Sequence, residues 1–146
     1  MTLEDWRRTD WLAEQKPTPE GVRALLAVAD RELADAGLAG LSVDARFGHA
    51  YSAALQSAAA ALLAAGFRPS RGASHHHVVI QSLTRTLVVD ARTVGKLDGF
   101  RKKRNTARYE MVGSVTELEA DEMMALARRL RKDVESWLRK RYPRLL

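Results

Sequence analysis

Apolar positions in this chain recur at three- and four-residue steps almost throughout, the spacing that gathers side chains on one helical face. Val22, Leu25, Leu26, Ala29 and Leu33 form one such stripe. Thr18-Pro19-Glu20 opens it with a capping hydroxyl, a proline at the first helical position and an acid in the first turn, and Gly37 and Gly40 loosen the chain after it. Ser42 with Asp44 opens the next helix, whose stripe is Val43, Phe47, Tyr51, Ala54, Leu55, Ala58, Leu62 and Ala65. Gly66 ends it in the usual C-terminal glycine position. The alanines between 53 and 65 would let a neighbouring helix approach closely, which sets this helix either centrally in a bundle or in a subunit interface.

After a loop over 67–73, Ser74 caps a short helix carrying His75, His76, His77, Val78, Val79, Ile80 and Leu83. Leu87-Val88-Val89 is short and lacks a pairing partner of similar character, so it reads as a loop leading to Asp90, the cap of a fourth helix. That helix ends between Tyr109 and Gly113. Two overlapping capping boxes, Ser114 with Glu117 and Thr116 with Glu119, start a long last helix. Its face is Leu118, Met123, Ala127, Leu130, Val134, Trp137 and Leu138, and it stops before Pro143. The expected architecture is an all-α, up-and-down helical bundle of about four or five helices. It forms a single domain over 18–142, with an N-terminal extension over 1–17 and a tail over 143–146.

Composition narrows the function classes. The 146 residues fit one domain, and a 46% apolar content is that of a globular chain. With no cysteine, disulfides and thiolate–metal sites are excluded, and a cytoplasmic location is the natural expectation. Met1 to Trp11 carries Glu4, Asp5, Arg7, Arg8 and Asp10 and no apolar run, unlike a secretory signal. The greasiest stretch, Ala53 to Ala65, is broken by Gln56 and Ser57 and is well short of the roughly 20 apolar residues that span a bilayer. A soluble protein without a membrane partner is expected. There is no glycine-rich phosphate loop and no nucleophile elbow.

Charge changes the picture more. The formal excess of +6 is clustered in two places. Arg128, Arg129, Arg131, Lys132, Arg139, Lys140, Arg141 and Arg144 follow the acids Glu117, Glu119, Asp121 and Glu122 along the last helix, the polarity that the helix dipole favours. The fourth helix differs. In Phe100-Arg101-Lys102-Lys103-Arg104-Asn105-Thr106-Ala107-Arg108-Tyr109, the residues Leu97, Phe100, Arg104 and Ala107 share one face, so a guanidinium falls in the apolar stripe. It cannot lose its proton and must find an anion or a fan of acceptors. Asn105 and Tyr109 supply polar partners. The three adjacent histidines point about 100° apart on a helix and make a poor metal site, so neither a metal nor a cofactor is expected; one of them could still serve an anion or act as a base.

With the bundle and Arg104-Asn105-x-x-x-Tyr109 in hand, the chain resembles a HEPN domain (the higher eukaryotes and prokaryotes nucleotide-binding superfamily) from about Thr18 to Trp137. The likeness comprises an alanine-rich second helix, a helix ending in a motif related to Arg-Asn-x-x-x-His, and a long amphipathic last helix. Many members of that superfamily are metal-independent endoribonucleases of toxin–antitoxin, antiphage and CRISPR systems. Others bind RNA or nucleotides without catalysis, and some pair with a minimal nucleotidyltransferase. The resemblance implies a homodimer in which the two motifs face each other, and a cognate antitoxin or such a nucleotidyltransferase as partner. Arg104 matches the motif arginine and Asn105 the polar residue after it. The histidine position holds Tyr109, whose ordinary pKa near 10 makes a poor general base. A noncatalytic module is therefore expected, binding RNA or a nucleotide through Arg101, Arg104, Asn105, Arg108 and Tyr109. The alternative is a ribonuclease using Arg104 on the phosphate, with Tyr109 or one of His75, His76 and His77 as acid–base.

Overall fold

Six α-helices among the described residues carry the fold: α1 (Leu3–Arg8), α2 (Pro19–Ala36), α3 (Val43–Ala64), α4 (His75–Ser82), α5 (Ala91–Tyr109) and α6 (Glu117–Arg141). The computed structural model describes residues 1–71, 74–109 and 112–146, with all of their side chains except those of Arg108 and Tyr109. Local chemistry sets most helix ends. Thr18 and Ser42 accept hydrogen bonds from Gly21 N and Ala45 N at 3.0 and 3.1 Å, capping α2 and α3. Gly66 follows α3 with φ +97°, a conformation that costs a glycine little. Thr116 and Glu119 form a reciprocal capping box on α6. The expected second box is absent: Glu117 turns to Arg46 at 3.1 Å, and the Ser114 hydroxyl is buried without a partner.

The alanine-rich α3 is the central helix. It packs along α2 and α6 and also touches α4 and α5. Ala50, Ala53, Ala54, Ala58, Ala60 and Ala61 are fully buried. Small side chains allow that many neighbours. At the α2 crossing, a Cβ on Gly21 would stand 3.2 Å from Leu63 Cδ2, so a glycine on α2 makes room for a leucine of α3. The small-residue face therefore belongs to the interior of this chain.

A two-stranded antiparallel clasp was not expected. β1 (Leu12–Glu14) pairs with β2 (Phe67–Pro69) in the register Leu12↔Pro69, Ala13↔Arg68 and Glu14↔Phe67. It occupies part of the segment read as a loop after Gly66. Segment 1–17 thus contributes α1 and β1, and its Trp6 and Leu12 join the same buried cluster as the bundle. At the other end, Pro143–Leu145 makes a 3₁₀ turn that buries Leu145. No helix among the described residues is long and apolar enough to cross a membrane.

Candidate nucleic-acid interface

The apolar stripe of α5 is as its spacing implies: Leu97, Phe100 and Ala107 are buried, and Arg104 lies half-buried between them. Its guanidinium sits over the ring of Tyr51, 5.3 Å from the centroid. Tyr51 comes from α3 and is fully buried, so a rigid aromatic floor holds the arginine. No carboxylate among the described residues forms an ion pair with Arg104, although Arg101 and Lys103 both have partners. Lys102 and Asn105 are exposed. The side chains of Arg108 and Tyr109 lie outside the described residues; Tyr109 is the last residue of α5.

The fold brings α4 to this face. Tyr51 Oη and His76 Nδ1 are 3.2 Å apart, and the two rings lie 5.9 Å from centroid to centroid. Burial pushes the Tyr51 phenol up to about 12, so it keeps its proton. Burial, reinforced by the charges of Arg104, Arg101 and His75, holds the His76 imidazole below its ordinary value. A phenol that keeps its proton beside a neutral imidazole donates to Nδ1, which leaves the imidazole proton on Nε2.

The next histidine has a different partner. His77 Nδ1 donates to Asp98 Oδ1 at 3.0 Å, and Arg101 Nε donates to the same oxygen at 2.8 Å. Burial raises the Asp98 carboxyl, but the hydrogen bonds from Arg101 and His77 outweigh it and hold the group below its ordinary range. Trp11 stands edge-on to His77, with ring centroids 6.3 Å apart at 69°. His75 is exposed, and its Nε2 faces the Ser70 carbonyl at 3.1 Å. The three histidines therefore have three separate environments, and they do not converge on a metal.

His49 does not join that trio. Its Nδ1 donates to Glu32 Oε2 at 2.6 Å. With Asp35 these two offer ligand atoms all within 4.8 Å of one another. A cation would find three ligands there, although the His49–Glu32 pairing accounts for the arrangement by itself. Glu32 and Asp35 sit three residues apart on α2, a spacing visible in the sequence, but nothing in the sequence shows that His49 faces them. Arg104 lines a pocket of about 470 Å³ with Glu32, Asp44 and His49. A larger groove of about 890 Å³ runs between the 87–90 segment, the start of α5 and α6, and is lined by both signs of charge without Arg104.

No protein-family model, curated protein or solved structure matches this chain.

Proposed function

We propose that the chain is a HEPN-like module that binds RNA or a nucleotide through the face shared by α4 and α5, without cleaving it. The observation that carries this reading is Arg104, a half-buried guanidinium fixed on Tyr51 with no ion-pair partner among the described residues. A permanently charged group held there favours an anion. Arg101 adds a second guanidinium, oriented by Asp98. The pocket of Glu32 and Asp44 has the wrong sign for a phosphate, so the ligand is taken on the side of Arg101 and His76. The module acts as a homodimer through α5, within a toxin–antitoxin or other defence system.

The test is affinity for RNA and nucleotides alongside thermal stability. Arg104→Ala abolishes binding while the fold persists. If Arg104 is merely structural, Arg104→Met folds as well as the parent and there is no binding to lose.

A second reading, metal-independent endoribonuclease, gains from one feature. His76 and Arg104 contact the same tyrosine ring, so an imidazole stands beside the phosphate-facing guanidinium although position 109 is tyrosine. RNA cleavage by the wild-type protein that disappears in His76→Ala or Tyr109→Phe, with affinity retained, establishes that reading over simple binding.

A further inference from the structure

We propose that Trp11 is a stacking platform for a base of single-stranded RNA, linked through His77 and Asp98 to Arg101 of α5; this rests on the RNA-binding reading above. Among the exposed large hydrophobic residues whose side chains the structure describes, Trp11 is the one aromatic, with 42% of its surface open. Its inner side is supported by Trp6, a buried ring 5.4 Å away and tilted by 59°.

The backbone around it is clamped. Trp11 N donates to the Trp6 carbonyl and Ser70 N donates to the Trp11 carbonyl, both at 3.0 Å, while Ser70 Oγ donates to the carbonyl of Asp10. Asp10 itself is held at φ +64°, a left-handed conformation that is uncommon away from glycine. An indole fixed in this way loses little freedom when a base stacks on it.

Its surroundings suit a nucleotide. Trp11 touches His77, His77 is bonded to Asp98, and Asp98 holds Arg101. A single run of contacts thus joins the aromatic surface to Arg101, whose guanidinium is ion-paired with Asp98 at the start of the basic run of α5. Single-stranded nucleic acids are gripped by that combination, bases on π-faces and backbone on cations.

The experiment compares oligouridylate, an abasic ribose-phosphate oligomer of equal length, and UMP. Each is titrated against wild type, Trp11→Ala, Trp11→Leu and Trp11→Phe, with thermal unfolding as the folding control. Leucine keeps apolar packing on Trp6 but has no π-face, so the test stands even where alanine unfolds the chain. Loss of the stacking surface lowers oligouridylate affinity about tenfold. Phenylalanine restores most of it, the salt slope stays unchanged because no phosphate contact is lost, and the abasic oligomer binds all four proteins equally. Unchanged oligouridylate binding by Trp11→Leu overturns the platform alone, as does an equal loss on both oligomers. UMP bound as tightly as the oligomer overturns the single-strand assignment. Wild-type protein that binds none of the three overturns the RNA-binding reading beneath it.

Discussion

Arg104 and His76 show how one buried tyrosine can organise two polar groups of opposite habit. The guanidinium keeps its charge in any setting, whereas the imidazole is driven toward neutrality by burial and by the nearby charges of Arg104 and Arg101. This has a consequence for stability. In the unfolded chain the imidazole takes a proton near its ordinary 6.5, and in the folded chain it does so only at lower pH. Between those values the unfolded state binds more protons, so stability falls as pH drops below about 6.5. Denaturation at about pH 7 and about pH 5.5 should show wild type losing stability and His76→Gln losing less. Equal losses in the two proteins would contradict this account of His76. The Asp98 carboxyl acts in a separate window: held below its ordinary 3.8, it contributes stability above that value and loses it as pH falls through the lower folded value. At this scale the sequence revealed Arg104, because a cation in an apolar stripe is conspicuous. It could not reveal Tyr51 and His76 as its neighbours, since they sit on α3 and α4 and only packing unites them with α5.

Helices were legible because their signals are local. Thr18, Ser42, Gly66 and the Thr116–Glu119 box act within one turn of where they stand. Where two such signals overlap, geometry chooses. Glu119 N donates to Thr116 Oγ1 at 3.1 Å and Thr116 N donates to Glu119 Oε1 at 3.0 Å, whereas Ser114 is left out. Thr116→Ala should therefore cost about 1 kcal/mol in urea denaturation. Ser114→Ala should be neutral or stabilising, because it removes a buried hydroxyl that has no partner. A loss at Ser114 as large as that at Thr116 would mean that both boxes form. The β1–β2 clasp was not legible. Its strands have three residues each, too few for alternation to register, and the pairing joins segments far apart in the chain.

For the whole molecule, the position of α3 decides which surface can meet a second copy. Its alanine face is enclosed by α2 and α6, so a homodimer must use another element, and α5 is the helix whose residues carry the candidate site. Sedimentation at tens of micromolar should give the mass of a dimer, and a monomer at that concentration would remove α5 from this role. The sequence left two places for the small-residue helix, bundle centre or interface, because close approach looks the same in either; the fold selects the centre. Cationic clustering was legible too, but not its division. Arg101 and Lys103 are tied to Asp98 and Glu119, and Arg104 rests on a ring.

The clasp also sets an order of events in time. Helix pairs such as α2 and α3 meet across short connections, whereas Ser70 reaches Asp10 across 60 positions and β1 meets β2 over a similar span. Closing so long a loop costs chain entropy before its few hydrogen bonds form, and two strands alone are marginal in water. The N-terminal segment is therefore the last part of the molecule to be secured during folding and the first to come away. Because Trp11 stands directly before β1, the proposed platform exists only while the clasp is closed, and a ligand stacked on Trp11 would act as the latch that keeps the chain's two distant parts together.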